Sequence, residues 1–377
     1  MAEPNLMERI ALDVLRRRID RAEPNIHKWS DSELAAIQRI ERRTKAVAAL
    51  AGAISGALLG AVEIWLGPGV VQVTDSTRWR EQLPYWSLFI SLAVAVSGAE
   101  ILYLYWFVLR AVARISSIAG LSLSAREIEQ LIARGLSRAA LELPNPRQPI
   151  HGIDPYARVP RWKLAAYSIL YRLKVGATSF VLRVVLRRML SRATLRFFIP
   201  LVAIPVFALW NGLIARWIMR EVRVRVAGPL ALDDLGRRIA KARSDLSHDA
   251  RRLVVEAVGE AIIRGEDAHP NYAVLLMRLF DELEISPEPV RVDWDSSRAA
   301  LKDLDPKAQD VLLVSLTVSA ILNSRLKKAQ RELLEEAHRL CGRPFRPQAL
   351  RDLRRKLIDG QGLSEEHLAA VGSLTRP

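Results

Sequence analysis

Two glutamates inside long apolar runs are the residues of this sequence best placed to do chemistry. Glu63 is the only charge in residues 46–66, and Glu100 is the only charge in residues 86–109. A carboxyl group in hydrocarbon is expensive, so it faces protein or water and is a candidate for handling ions or protons. Glu63 lies one turn from the outer end of its run, where it reaches water. Glu100 lies deeper, about 13 Å from the inner end at 1.5 Å per residue. It shares a helix face with Ala93 and Ser97, which points it at a neighbouring helix. Charge alone suggests Arg216, Arg172 or Lys174 as its partner. Arg216 is itself polar at membrane depth, in a third apolar stretch. The competing role for Glu63, Glu100 and Arg216 is structural, as ion pairs or as side chains that snorkel to the surface.

A second pattern concerns packing. Gly52, Gly56 and Gly60 recur every four residues in the first run, two overlapping GxxxG units on one helix stripe. Such a stripe lets another backbone approach closely. Ser87, Ser91, Ala95 and Ala99 give the second run a matching row of small residues. The expectation is that the two runs pack against each other through these rows. Homo-oligomerisation through the glycines is the alternative.

No other pattern has the form of a catalytic site. The sequence lacks the P-loop, the GxSxG elbow, the HExxH pair and any paired His/Asp metal spacing. Its histidines are scattered, and its one cysteine, Cys341, excludes an intrachain disulfide and a Cys-based zinc cluster. The expectation is a protein that is not an enzyme and uses no metal or cofactor.

Composition and charge describe the elements that carry these residues. The chain is 50% hydrophobic and 26% charged, a mixture that suggests apolar and polar regions kept apart along the sequence. Residues 227–377 carry 24 Lys+Arg against 24 Asp+Glu, so the whole net charge of +15 lies in 1–226. A basic excess beside apolar runs follows from the positive-inside rule and from attraction to anionic headgroups. Nucleic acid is not expected, because the aromatics sit beside the apolar runs and are not interleaved with a basic groove.

The runs at 46–66 and 86–109 are each long enough to cross a bilayer. Arg39, Arg42, Arg43 and Lys45 precede the first, and Arg110 and Arg114 follow the second, which puts both flanks in the cytoplasm. Ser30 and Glu33 fit a capping box, so a single helix is expected to run from 31 into the membrane. The third stretch at 196–220 is irregular, with Pro200, Pro205 and Gly212 expected to kink it, and arginines lie at both of its ends. A re-entrant hairpin, a fourth span at about 164–186, or a single crossing would each resolve that conflict. An even number of crossings is the preferred topology.

The predicted organisation is all-α, with multi-pass transmembrane helices followed by a soluble helical bundle. It comprises cytoplasmic helices at 1–45, a transmembrane hairpin at 46–109, and a basic, mainly cytoplasmic helical linker at 110–195. A third membrane segment at 196–220 and a soluble domain at 221–377 complete it. Helical spacing predicts helices at 231–247, 249–264, 270–284, 306–322, 326–341, 347–358 and 364–372.

Within that domain, the run AQDVLLVSLTVSAILNSRLKKAQRELLEEAHRLCGRPF resembles the TerB-like helical domain of tellurite-resistance and stress proteins. In that family an apolar helix ends in an Ala-Asp-Gly-like turn before an acidic, Leu-rich helix. Here Leu322-Asn323-Ser324 occupies the turn without its Asp or Gly, so no metal ligand is carried over. The resemblance implies a cytoplasmic interaction or sensing module of a bacterium, and the preferred even-crossing topology adds the expectation of an inner-membrane protein with both termini inside. The expected function is a membrane-anchored scaffold or sensor that meets anionic lipids and a protein partner. A small transporter or channel component using Glu100 is the alternative.

Overall fold

The computed structural model describes residues 6–19, 25–66, 79–121, 127–141, 147–166, 199–286, 290–323 and 325–374, together with 143 and 145. Among these the chain is all-helical and holds no strand; Ile150 and Ile153 form one isolated bridge. The longer helices are α1 (Leu6–Ile19), α2 (Asp31–Leu66), α3 (Trp79–Ile118), α4 (Glu127–Ala140) and α5 (Ile199–Ala242). They are followed by α6 (His248–Gly265), α7 (Pro270–Leu283), the short α8 (Trp294–Ser297), α9 (Pro306–Ile321), α10 (Lys328–Leu340), α11 (Pro347–Ile358) and α12 (Glu365–Val371).

Local chemistry accounts for most of the starts and stops. Ser30 and Glu33 close the capping box of α2: the Ser30 N–H donates to Glu33 Oε2 at 2.8 Å, and the Glu33 N–H to Ser30 Oγ at 3.3 Å. Ser247, His269, Asp305 and Ser364 cap α6, α7, α9 and α12 with side-chain acceptors, and Pro270 and Pro306 occupy first-turn positions that need no donor. Glu266 and Glu284 end α6 and α7 in the left-handed region.

The third apolar stretch belongs to one long helix. Pro205, Gly212 and Pro229 all lie inside α5 without ending it. A proline removes one backbone hydrogen bond, and a helix this long carries the loss through its remaining bonds. Continuous helix from Ile199 to Ala242 excludes a re-entrant hairpin. The fourth span considered at 164–186, with Arg172 and Lys174, falls largely outside the described residues.

The chain divides into two compact units. The first comprises Met1–Ile37, Val112–Val159 and Arg220–Pro377; the second comprises Gln38–Ala111 and Pro160–Met219. The first unit thus draws on segments of the expected N-terminal region, basic linker and C-terminal domain. In the first unit α1 packs on α4, and α4 packs on α7. Arg138 of α4 donates to the buried Glu8 carboxylate of α1, the Asn25 N–H donates to the Gly120 carbonyl at 3.1 Å, and the Trp29 N–H donates to the Gly360 carbonyl at 2.9 Å. Gly360 has φ +73°, and a Cβ there would overlap the Trp29 ring, so this close approach requires glycine.

The core of the first unit is α9. From Val311 to Ile321 every residue is buried, the hydroxyl residues Ser315, Thr317 and Ser319 included, and a helix covered on all sides belongs in the centre of its domain. It packs on α6, α10 and α11.

The second unit is arranged the opposite way. All but four of the large apolar residues exposed among the described ones belong to it; the four, Leu6, Met7, Ile10 and Ile26, lie at the start of the first unit. Leu50 (60% exposed), Ile54 and Leu58 form an outward stripe on α2, Val94 (62%) and Leu102 do so on α3, and Leu209 (66%) faces outward from α5. Among the described residues two helices are long and apolar enough to cross a membrane, covering Asp31–Val62 and Ser87–Ile118.

Candidate functional site

In the second unit Gly52, Gly56 and Gly60 are all buried. They sit two residues, or about 200°, from the outward Leu50–Ile54–Leu58 stripe, so glycine faces helix while leucine faces out. At Gly52 the nearest atoms belong to α5. A Cβ on Gly52 would lie 2.4 Å from the Phe207 carbonyl oxygen and 2.8 Å from Asn211 Nδ2, so α5 approaches there backbone to side-chain-less backbone. Ser91 and Ala95, the expected partners, are exposed, and Ser91 Oγ donates to its own helix at the Ser87 carbonyl.

Glu100 faces the same helix. It is half-buried on the face that also holds buried Ala93, and Asn211 Nδ2 donates to its Oε1. The partner described for it is an amide on another helix. Arg216 is exposed and lies five residues beyond Asn211 on α5, and Arg172 and Lys174 are outside the described residues. An amide donor on a carboxyl oxygen satisfies either protonation state and holds two helices together. Of Glu63 the structure describes the backbone, as part of α2, and not the side chain. Gly52, Asn211 and Glu100 thus form one joint where α2, α3 and α5 meet.

This joint yields a test with an internal control. Gly52→Ala is expected to destabilise the full-length protein by about 1–3 kcal/mol through overpacking. Gly98→Ala, whose Cβ would meet nothing within 4 Å, is expected to be neutral or to gain up to about 1 kcal/mol from helix propensity. Thermal unfolding in detergent measures both; equal shifts would contradict the packing.

The first unit holds a buried charge network that sequence reading missed. Arg225 is 5% exposed. Its Nε donates to Glu221 Oε1 at 2.8 Å, Nη1 to the Gly135 carbonyl, and Nη2 to Asn145 Oδ1 at 3.1 Å. Asn145 in turn donates to Asp267 Oδ1 at 2.8 Å. His269 is fully buried; its Nδ1 accepts from the Asn271 N–H, which places the ring hydrogen on Nε2, 3.2 Å from Glu221 Oε1. Burial pushes the Glu221 carboxyl up, but Arg225 and His269 beside it hold it well below the ordinary carboxylate range. Asn271 donates to the carbonyls of Val224 and Leu322, both at 3.2 Å, and its amide occupies the space a Cβ on Gly228 would need. The network therefore ties α4, the proline-rich segment after it, α5, the α6–α7 turn and the α9 C-terminus. A second clasp holds the same proline-rich segment: Glu260 of α6, fully buried, accepts from Arg158 at 2.6 and 2.9 Å and from Arg264 at 2.7 Å.

These arrangements hold helices in place, and among the described residues no group of three His, Cys, Asp or Glu side chains could bind a metal ion. Cys341 is half-buried and burial pushes its thiol up to about 11, which makes it a slow nucleophile at neutral pH. The available signal for the missed network was Arg225 between Val224 and Val226, followed by the apolar Ala227, where a buried arginine must be paired. Compared with known proteins, the chain matches no family model, no curated protein and no solved structure.

Proposed function

We propose that this protein is a membrane-anchored scaffold or sensor, in which the second unit is embedded in lipid and the first recruits a protein partner from water. The observation that carries the reading is the inside-out apolarity of the second unit. Only 6% of the apolar window in Ser87–Ile118 is buried, whereas the core helix of a soluble protein has most of its length covered. Trp65, Trp106 and Trp217 are exposed in this unit, and Arg110 stacks over Trp106 at 3.8 Å, the pairing of aromatic and cation favoured at headgroup depth. The basic excess of residues 1–226 and the preference for an even number of crossings put the first unit on the cytoplasmic side, in a multi-pass inner-membrane protein. The TerB-like resemblance of residues 308–358 suits an interaction module.

Transport through Glu100 is the second reading, because Glu100 is a half-buried carboxyl in an apolar unit. The Asn211 bond accounts for that carboxyl as helix glue, which favours the first reading. Proteoliposomes of the full-length protein separate the two. The scaffold reading expects proton and cation flux at the background of empty vesicles for wild type and Glu100→Gln alike. A wild-type flux abolished by Glu100→Gln, with the protein still assembled, would transfer the assignment to transport.

A further inference from the structure

Residues 150–159 lie along α6 as a strap with one apolar side. Ile153, Pro155 and Val159 are buried, whereas Gly152, Asp154, Ala157 and Arg158 face water. The strap opens with its own tight turn: Ile150 and Ile153 exchange backbone hydrogen bonds of 2.8 and 3.0 Å around His151 and Gly152, both in the left-handed region. Ile153 is seated over Gly259 of α6. A Cβ on that glycine would lie 3.0 Å from Ile153 Cδ1 and 2.6 Å from Val292 Cγ2, so the missing side chain makes the seat. Among the described residues, few hydrogen bonds tie the strap to the rest of the unit. The Val290 N–H donates to the His151 carbonyl at 3.2 Å, the Ala268 N–H donates to Tyr156 Oη at 3.4 Å, and the fork of Arg158 holds both Glu260 oxygens. A segment held this lightly opens below the free energy of global unfolding. Its release strands no charge, because Glu260 keeps Arg264 Nε at 2.7 Å on its own helix and the Arg158 side chain is already 55% exposed.

The strap is built like a peptide ligand held in cis: a non-helical segment bearing prolines, with one apolar anchor in a seat and one charged fork on a buried carboxylate. Its tether gives it a high effective concentration at the seat, so it keeps a separate peptide out until the Arg158–Glu260 latch breaks. Val159 is the last residue of the first unit and Pro160 the first of the second, so a displacement of the chain there reaches Arg158 within two residues. We propose that residues 150–159 are a releasable strap, and that the seat beneath it, formed by Gly259, Val292 and Glu260, takes a partner peptide that presents an apolar side chain and an arginine. This assignment rests on the recruiting role above and adds the surface that recruits and the latch that covers it.

Thiol labelling of the full-length protein in detergent tests the strap, with Cys341→Ala as background and Ile153→Cys as reporter. Labelling at 153 is expected to depend only weakly on sub-denaturing urea, because a short segment exposes little surface when it opens. Arg158→Gln is expected to speed it about tenfold, the loss of one charge-assisted hydrogen-bonded pair. Arg158 is exposed, so the melting temperature is expected to stay unchanged. A urea dependence equal to that of global unfolding, or a rate that Arg158→Gln leaves unchanged, would overturn the strap. A fluorescent peptide of residues 147–160 then probes the seat in the natural sequence. It is expected to bind the Arg158→Gln protein about tenfold tighter than wild type, as the cis competitor is weakened, and to lose that binding when Gly259→Ala is added. Binding to neither protein, or binding untouched by Gly259→Ala, would overturn the seat as a docking site. Failure of the recruiting role looks different: proteoliposomes would show a flux that Glu100→Gln abolishes, while the urea dependence and the Arg158→Gln acceleration would still hold.

Discussion

Replacing Arg225 by methionine is expected to cost the protein about 3–5 kcal/mol, the range for removing one partner of a buried ion pair. The side chain keeps its length in this substitution, so the loss is one of charge and hydrogen bonds. Glu221 loses its main counter-charge, and the Gly135 carbonyl and Asn145 amide lose a donor. Glu221→Gln is expected to be milder, because an amide can still accept from Arg225 and face His269. The double variant Arg225→Met, Glu221→Met should recover much of the loss, since apolar residues of similar volume often replace a buried pair at little cost. Thermal and denaturant unfolding of the full-length protein would show this order. A single Arg225→Met within about 0.5 kcal/mol of wild type, the usual range for surface changes, would place the network outside the fold's support. The same network bears on truncation. A fragment starting at residue 229 lacks Glu221 and Arg225 and the α4 surface that α7 covers, so it is expected to be less stable than the three-segment unit.

Acidification is expected to destabilise the first unit between about pH 6.5 and pH 4 through His338, with a loss of about 3 kcal/mol across the window at 1.4 kcal/mol per unit of pKa. His338 is fully buried. Its Nδ1 donates to the Leu334 carbonyl at 2.7 Å, leaving Nε2 to accept from Ser373 Oγ at 3.3 Å, and Ser373 in turn pairs with Thr317 at 2.7 Å. Burial pushes the ring down to about 4; Arg343 adds to this, and the Leu334 hydrogen bond opposes it. The folded state therefore holds the neutral ring. Its contribution is complete above pH 6.5 and is lost as the unfolded chain takes up a proton that the folded chain refuses. His27 works in the opposite sense: hydrogen bonds to the Asn25 carbonyl and Glu33 raise it, so its contribution is full below pH 6.5 and fades as pH rises. It is partly exposed, which keeps its effect small beside that of His338. Denaturation midpoints measured from pH 7.5 to 4.5 should fall in wild type and fall less steeply in His338→Gln. Parallel slopes would contradict the buried neutral ring.

Local features of this fold were legible in the sequence, and features that join distant segments were not. The Ser30–Glu33 box, the proline starts of α7 and α9 and the helical spacing beyond residue 247 depend on neighbours within a few residues, and each expected helix there has its counterpart. The glycine stripe showed that a backbone would come close to α2, but a glycine names no partner. Ser91 and Ala95 had the right spacing, and at Gly52 the atoms that come closest are those of Phe207 and Asn211. Glu100 suggested a cation because charge is visible in sequence, whereas an amide such as Asn211 serves a carboxyl as well. Arg220, Arg223 and Arg225 read as one basic flank, since a count of arginines cannot separate an exposed side chain from one 5% exposed and locked to Glu221. The membership of α1 and α4 in the first unit rests on single long-range contacts such as Glu8–Arg138, which no periodicity announces.

We propose that one unit of this protein lives in lipid and the other in water. Nitroxide accessibility on the full-length protein in vesicles tests it most directly, with Cys341→Ala as background and spin labels at Leu50→Cys, Val94→Cys and Lys328→Cys. Lys328 is 80% exposed on α10, which makes it a better reporter than the half-buried Cys341. Labels at positions 50 and 94 are expected to collide with oxygen and to be shielded from a water-soluble nickel chelate, while the label at 328 is expected to show the reverse. Ready access of the chelate to all three positions would contradict it.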